Sequence, residues 1–344
     1  MFHVGARPYI WLDVLLGAMV RGDWDRFELH LQAGAACAAE AERLGASPDV
    51  SEVERAATAF RYERDLLTTE ETEAWLERAG VSLETWSDVL ARDLLRMRWA
   101  DRLPALVHGV PVPAALTLGE ELIAAEGICS GMFTGFARTL AARAAVAESA
   151  GGAPDAGAIA EHVADVRQER SAWLASLDPG DLERRLRHLA AVDAGYLGAT
   201  RGALTEAALS RQLDRCRLEW MRIDLERLSF GTAEAAREAA WCVREDGLTL
   251  SDVAIESRQP VQDVRTLLDE LDEPLRAAVL SAGVDDVVGP VDVGGRYDVV
   301  VVVGKTPATL GDALVRERAQ HAVVEALTTK AVLSNVTWVD TPMP

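Results

Sequence analysis

The side chains best suited to chemistry are spread singly along this chain rather than grouped in motifs. The histidines form none of the HxH, HxxxH or HExxH pairs that hold metal ions, since they stand at His3, His30, His108, His162, His188 and His321. No CxxC pair occurs among the four cysteines, which are Cys37, Cys129, Cys216 and Cys242. The sequence therefore predicts no metal site and no disulfide framework, and small buried thiols instead.

Motifs for cofactor binding and for nucleophilic catalysis are also missing from the sequence. No GxGxxG or Walker motif precedes a predicted helix, and no GxSxG nucleophile elbow occurs. Gly294-Gly295 is typical of a hairpin turn. The paired acids Glu70-Glu71 and Asp285-Asp286 fall in a predicted helix start and a predicted turn, where solvation accounts for them. We expect no cofactor.

Net charge and hydropathy limit the partners. The 344 residues include 35 Lys and Arg against 55 Asp and Glu, a net charge of −20, which disfavours nucleic acid as a partner. The apolar run from Tyr9 to Val20 contains Asp13 and follows no basic segment of the signal-peptide type. No apolar stretch reaches the ~20 residues that cross a bilayer. We expect a cytoplasmic protein with no membrane partner.

His188 follows three arginines, which predicts a solvated basic face.

The first two thirds of the chain, residues 1 to about 218, show helical spacing throughout. Thr68 and Glu71 form a capping box, and Gly80 is a suitable helix end. Ser82 can begin the next helix, whose apolar stripe recurs at three and four residue intervals. Further along, Thr117 with Glu120 predicts a helix to about Glu148, and 149–157 is the best linker candidate. More helices are predicted at roughly 158–176, 180–192 and 204–218.

Spacing changes from helical to alternating just after Trp220. Apolar residues alternate with charged ones at Met221, Ile223 and Leu225, which predicts a half-buried strand. Leu228 and Phe230 have the opposite phase, so a bulge or a change of buried face is expected near Arg227.

The rest of the sequence predicts a small sheet, followed by a C-terminal helix and strand that pack back on the body. A helix starting at Gly231-Thr232 and a short helix at 251–257 precede a turn at Gly289-Pro290. Val299–Val303 is an unbroken β-branched run, typical of a central strand covered on both faces. A helix at about 312–328 leads to a last strand with Val336 and Trp338. We predict an α+β protein with a helical part, 1–219, a sheet domain, 220–306, and a C-terminal helix and strand, 307–344, that pack back on the body.

Residues 222–306 resemble the parvulin-type peptidyl-prolyl isomerase domain. Asp286-Val-Val-Gly-Pro-Val291 and Gly295-Arg-Tyr-Asp-Val-Val300 are similar to the family's GPV turn, its glycine–aromatic–histidine step and its final strand. Upstream, Phe60–Thr68 with Trp75-Leu76 resembles the helical segments of SurA-type chaperones. The likeness is closer to cytoplasmic "peptide maturation system" proteins of ribosomal peptide clusters, in which Ala235–Ala239 and Cys242–Gly247 recur. The resemblance implies a helical chaperone-like domain followed by a parvulin-like mixed sheet.

Departures from the parvulin pattern fall at the expected active site. Arg227 stands where the family has its first histidine, and Asp298 follows the matching aromatic Tyr297 where the second histidine belongs. The GGDLG stretch that forms the pocket floor is missing. We predict that Arg227 and Asp298 form a cross-strand ion pair and that the domain is no active prolyl isomerase.

The resemblance implies a peptide-binding accessory protein that binds a ribosomal precursor peptide and supports its maturation, alone or with other enzymes. Two alternatives stay open: a catalyst acting on the bound peptide through Arg227, Tyr297 and Asp298, and a general cytosolic holdase. A homodimer is also open. The predicted mode is an extended peptide added to a sheet edge, lined by Ile223, Leu225, Arg227, Phe230, Tyr297 and Asp298. A second possible location is the helical part near Trp75 and Trp86.

Overall fold

The computed structural model describes residues 1–108, 119–151 and 154–339. Contacts divide the chain into a first unit, Met1–Gly202 with the residues from Leu327 onward, and a second unit, Ala203–Ala326. The second unit therefore begins earlier than the predicted sheet domain and takes in most of the predicted C-terminal helix. In the described parts of the chain, every helix is too short or too polar to cross a bilayer.

The first unit is built from helices around one apolar core. Its helices are α1 (Trp11–Arg21), α2 (Trp24–Leu44), α3 (Val50–Glu63), α4 (Thr69–Ala79), α5 (Leu83–Arg98), α6 (Leu103–Val107), α7 (Glu120–Cys129), α8 (Met132–Ala150), α9 (Ala156–Glu169), α10 (Ser171–Leu174) and α11 (Pro179–Ala203). Trp24, Phe27 and Phe133 pack together at the centre, where burying each large side chain contributes roughly 1.5–3 kcal/mol.

Caps recognised in the sequence define the helix ends as predicted. The Thr68 hydroxyl accepts from the Glu71 N–H at 3.1 Å, the Glu71 carboxylate accepts from the Thr68 N–H, and Gly80 ends α4 with a φ of +67°. The Ser82 hydroxyl caps α5 by accepting from the Thr85 N–H at 3.1 Å.

One helix predicted from the sequence is divided into two helices in the structure. The expected helix to Glu148 breaks between α7 and α8 at Gly131, whose φ of +74° is left-handed and incompatible with a continuous helix. Its proposed cap, Thr117, and residues 152–153 of the predicted linker lie outside the described residues.

The prediction of helix from residue 1 onward is wrong, because the chain starts with a β-hairpin. Strands β1 (Phe2–Val4) and β2 (Arg7–Tyr9) pair antiparallel, and β7 (Val336–Trp338) pairs with β1 on its other side. Three-residue strands are too short to display an alternating pattern, so the sequence carried no signal for them. The predicted last strand is confirmed, and its partner is the N-terminus.

The second unit contains a four-stranded antiparallel sheet in the order β4-β3-β6-β5. Its elements are α12 (Glu206–Cys216), β3 (Arg222–Phe230), α13 (Ala233–Glu245), α14 (Leu250–Ser257), β4 (Gln262–Leu267), α15 (Glu273–Ser281), β5 (Val287–Val293) and β6 (Arg296–Thr306), followed by α16 (Ala313–Asn335), which continues into the first unit. The α+β class is confirmed, although the pairings are all antiparallel where the resemblance implies a mixed sheet.

Each face of this sheet carries its own apolar core. Ile223 and Leu225 pack with α15 on one face, and Leu228 and Phe230 pack with α13 and α14 on the other. The predicted change of buried face near Arg227 is confirmed, since the phase of burial reverses between Leu225 and Leu228.

The described sheet contains two bulges that the sequence did not predict. Between Asp224 and Leu225 the register with β6 shifts by one residue, which makes Val303 the extra residue and leaves it 51% exposed. Val299, Val300 and Val302 are wholly buried, so the predicted central strand is confirmed except at that bulge. Gly289-Pro290 is a second bulge, inside β5 rather than at a turn, and the turn lies at Gly294-Gly295.

Candidate functional site

The predicted ion pair between Arg227 and Asp298 is present. Nη2 of Arg227 lies 2.6 Å from Oδ2 of Asp298, and the Ser229 hydroxyl donates to Oδ1 of Asp298 at 2.5 Å. Asp298 lies directly opposite Ser229 and diagonally across from Arg227, because Arg227 itself faces Val300. The charge contact has poor hydrogen-bond alignment, since neither Arg227 Nε nor Asp298 Oδ2 has a hydrogen-bond partner among the described residues.

Asp298 is closed off from solvent. Its side chain is 0% exposed, whereas that of Arg227 is 26% exposed. The neighbouring strand passes so close that a Cβ on Gly289 would clash with the Asp298 carbonyl oxygen, and the φ of +126° at Gly289 also favours glycine. A carboxylate that is buried and paired in this way has no free surface with which to contact a peptide.

The structure divides the predicted site residues between the two faces of the sheet. Arg227 and Asp298 share the face of α15 with Ile223 and Leu225, which are buried in its core at 0% and 2% exposure. Phe230 and half-buried Tyr297 pair across the strands and pack under α13 and α14 on the opposite face. Alternation along a strand makes a single pocket from these residues impossible.

The predicted lining residues Ile223, Leu225 and Arg227 do not lie at an edge of the sheet, so a peptide added at an edge cannot pair with them. β3 lies inside the sheet, with β4 on one side and β6 on the other, so both of its edges are already hydrogen-bonded. The alternation of apolar and charged residues predicted β3 but not its neighbour β4. The strand pattern of β4 is weak in the sequence because Gln262, Asp263 and Arg265 are polar, and the structure leaves them exposed.

The free edge on this side of the sheet belongs to β4, which pairs with β3 alone among the described strands. The Leu268 N–H donates to the Met221 carbonyl at 2.9 Å, whereas the Leu267 N–H points away from β3 and donates to the Glu270 carboxylate at 3.2 Å. Backbone groups in an antiparallel strand alternate between its two sides. The N–H and C=O groups of Asp263 and Arg265 therefore also point away from β3, and both residues are exposed.

The opposite edge of the sheet is partly occupied. Arg244 of α13 donates from Nη2 to the Val287 and Gly289 carbonyls of β5, at 2.9 and 2.8 Å. This side chain takes backbone acceptors that an added strand on β5 would need. Of the two outer strands, β4 is the more open.

A buried charge cluster that sequence analysis missed lies in the first unit. The wholly buried Glu126 carboxylate accepts from Arg92 Nε at 2.5 Å and from Arg96 Nη2 at 2.7 Å, and it lies 2.9 Å from His30 Nε2. A Cβ on Gly34 would clash with both guanidinium groups, so a larger residue there would force them to shift. The i,i+4 spacing of Arg92 and Arg96 was the available signal.

This cluster fits an ion-pair network better than a metal centre. Burial raises the pKa of Glu126, but the His30 hydrogen bond and the charges of Arg96 and Arg92 outweigh it and hold the pKa at about 2. His30, Asp93 and Glu126 offer three ligand atoms within 4.8 Å of one another. Asp93 and Glu126 are, however, already bound by guanidinium groups, with Arg96 Nη1 at 2.5 Å from Asp93, and a cation there would meet two fixed positive charges.

No family model matches the chain, and no curated protein matches it. Among solved structures it is similar to the peptidyl-prolyl isomerase PrsA of Bacillus anthracis, at 11% identity and a TM-score of 0.29 over 56% of this chain and 92% of that one. Foldase PrsA of Streptococcus pneumoniae matches at 12% identity and 0.25 over 61% and 88%. A Campylobacter jejuni structure described for the SurA-like chaperones PEB4 and Cj1289 matches at 10% and 0.19 over 70% and 93%. Identities and TM-scores of this size carry no inference about this chain's function.

Proposed function

We propose that this protein binds an extended polypeptide segment along the free edge of β4, and that the segment belongs to a ribosomally made precursor peptide whose maturation the protein supports. The observation that carries the proposal is the pair of exposed residues Asp263 and Arg265, whose backbone N–H and C=O groups point away from β3. An added strand would pair with these four groups and extend the sheet by one strand.

Burial of the Arg227–Asp298 pair supports binding over catalysis. Asp298 is wholly buried and paired with Arg227, so the residues that the resemblance places in the active site have no contact with a ligand at the β4 edge. The role as a catalyst acting on the bound peptide therefore receives no support from this sheet.

The assignment to a precursor peptide rests on the sequence resemblance to peptide maturation system proteins. Precursor peptides are made in the cytoplasm, so we propose that the protein acts there. The net charge of −20 favours a ligand segment with basic residues through long-range attraction. A general holdase for unfolded chains is the second candidate, because the same backbone groups on β4 bind any extended segment regardless of its sequence.

Proline scanning of β4 tests the proposed edge. Arg265→Pro removes one outward N–H without removing a hydrogen bond to β3, whereas Arg265→Ala removes only the side chain and is the matched control. Calorimetry of the full chain with the precursor peptide encoded beside its gene is expected to give micromolar binding for the wild type and Arg265→Ala, and at least tenfold weaker binding for Arg265→Pro. Equal affinities for the two variants, with unchanged circular dichroism, would exclude the β4 edge.

Two further measurements distinguish a specific peptide-binding protein from a general holdase and test whether the chain forms a dimer. A reduced, carboxymethylated protein of unrelated sequence is expected to compete poorly with the precursor peptide, whereas a general holdase would bind both alike. Light scattering reports whether the free β4 edge pairs with a second copy of the chain. In that case Arg265→Pro would lower the mass from dimer to monomer.

A further inference from the structure

A second apolar surface lies in the first unit, between α3 and α5. Each helix contributes a stripe at three and four residue intervals, and together they line a groove of about 350 Å³. Its apolar walls are Val50, Val53, Ala57, Leu83, Trp86 and Leu90. The lining residues Val50 and Leu83 are 76% and 67% exposed, so they leave apolar surface of the groove open to solvent.

The groove is held in shape by contacts beneath it and at its end. Trp86 in the groove floor packs edge-on against Phe60, with ring centroids 5.4 Å apart, and Phe60 packs in turn against Trp75. Arg98 of α5 donates to Glu52 of α3 at 2.8 Å and joins the two helices. A groove that is already formed loses little conformational entropy when a ligand enters.

Charge in the groove limits what its occupant can be. Glu54 belongs to the lining, is exposed, and has no ion-pair partner among the described residues. The lining contains no lysine or arginine. The occupant that fits best therefore has apolar side chains for the walls and a positive group near Glu54, whereas a carboxylate there would be repelled.

We propose that this groove binds a short polypeptide segment with aliphatic side chains and a lysine or arginine among them. The volume lies in the ~300–1,000 Å³ range of small ligand sites. The eight helical residues from Val50 to Ala57 extend about 10 Å, which matches three residues of extended peptide. The inference rests on the proposed function only in taking a polypeptide as ligand, since the surface and the recognition chemistry differ from those of β4.

Fluorescence anisotropy with three short synthetic peptides tests the groove. The probe alternates leucine with lysine, a second peptide replaces leucine with serine, and a third replaces lysine with glutamate. Both the wild type and Arg265→Pro are used, because the Pro variant is expected to weaken binding of an extended peptide at the β4 edge. In both proteins we expect the leucine–lysine peptide to bind at least tenfold more tightly than either of the other two.

Matched variants locate the binding on the protein. Leu83→Ser is expected to weaken binding of the leucine–lysine peptide severalfold, whereas Leu29→Ser, at an exposed leucine of α2 outside the lining, leaves it unchanged. Glu54→Gln is expected to weaken it about two- to fivefold, as for an exposed ion pair, and Glu84→Gln on α5 is the charge control.

Equal effects of each variant and its control would contradict the proposal that the groove binds the peptide. A serine–lysine peptide that binds as well as the probe would also contradict it. Both results would mean attraction to the acidic protein as a whole. Binding that persists in Arg265→Pro and responds to Leu83→Ser supports the groove even if the precursor peptide fails to bind β4, so the two proposals stand or fail separately.

Discussion

Arg227 and Asp298 are joined by an ion pair, with Nη2 and Oδ2 2.6 Å apart, at the two positions where a parvulin domain is expected to have its histidines. The carboxylate is wholly buried and the guanidinium is the partner that reaches solvent. The two side chains therefore neutralise each other inside the sheet instead of presenting polar groups to a ligand.

Prolyl isomerase activity on short Xaa-Pro peptides is expected to be negligible. Isomerisation requires a ligand amide held in a desolvated pocket over a barrier of ~18–20 kcal/mol, and Asp298 has no surface to contact one. A protease-coupled assay measures this directly. A rate well above the uncatalysed one that disappears in Asp298→Ala would show that the buried pair opens during function.

Removing one partner of the Arg227–Asp298 pair is expected to lower the free energy of unfolding more than removing both partners does. Arg227→Leu leaves Asp298 as a wholly buried carboxylate with Ser229 as a neutral donor, and we expect a loss of about 3–5 kcal/mol in the free energy of unfolding. Adding Asp298→Asn should recover most of it. Urea denaturation of the two single variants and the double variant measures the coupling, and additive losses would contradict it.

The Glu126 cluster is expected to be a main contributor to the stability of the first unit. Glu126→Gln keeps the shape of the side chain but leaves Arg92 and Arg96 buried with a neutral partner, at a cost of about 3–5 kcal/mol. Glu120→Gln, at an exposed position of the same helix, is the control and should change stability by less than about 0.5 kcal/mol. Similar urea midpoints for the two variants would show that the network contributes little.

His188 is expected to make the protein less stable as pH falls below neutral. The prediction of a solvated face is wrong here, because His188 is half-buried, with its Nε2 3.0 Å from the Tyr9 hydroxyl. Burial, with the nearby Arg7 charge, lowers the pKa of His188 to about 4. Between pH 6.5 and 4 the unfolded chain binds the extra proton, so stability falls with acidification through that window.

Denaturation at pH 7, 5.5 and 4.5 measures this dependence. His188→Gln keeps a polar side chain but cannot be protonated, so its stability should fall less steeply between pH 7 and 4.5 than that of the wild type. Glu126 also loses its stabilising charge on acidification, but between pH 4.5 and its folded pKa of about 2, which lies below the three pH values measured. Equal slopes for His188→Gln and the wild type would contradict the assignment.

Local signals in the sequence were enough for the features that depend on neighbours along the chain. The Thr68–Glu71 capping box and the Gly80 helix end are decided within a few residues, and the structure has them as predicted. Val299–Val303 marks a central strand because β-branched side chains on successive residues suit burial on both faces, with Val303 displaced by a bulge. The Arg227–Asp298 pair could be predicted because the resemblance to parvulin-type domains places the two residues on neighbouring strands.

Features made by distant segments needed the folded chain. The position of β3 inside the sheet depends on β4, whose polar residues gave no strand pattern, and this moved the candidate edge from Leu225 to Asp263 and Arg265. Adjacent residues of a strand point to opposite faces, so Tyr297 and Asp298 are separated by the sheet, and only the tertiary structure shows that helices cover both of its faces. Glu126 meets His30 across 96 residues, and no spacing rule connects them. Such contacts form because burying the apolar surfaces around them brings the helices together, and the charges must then find partners inside.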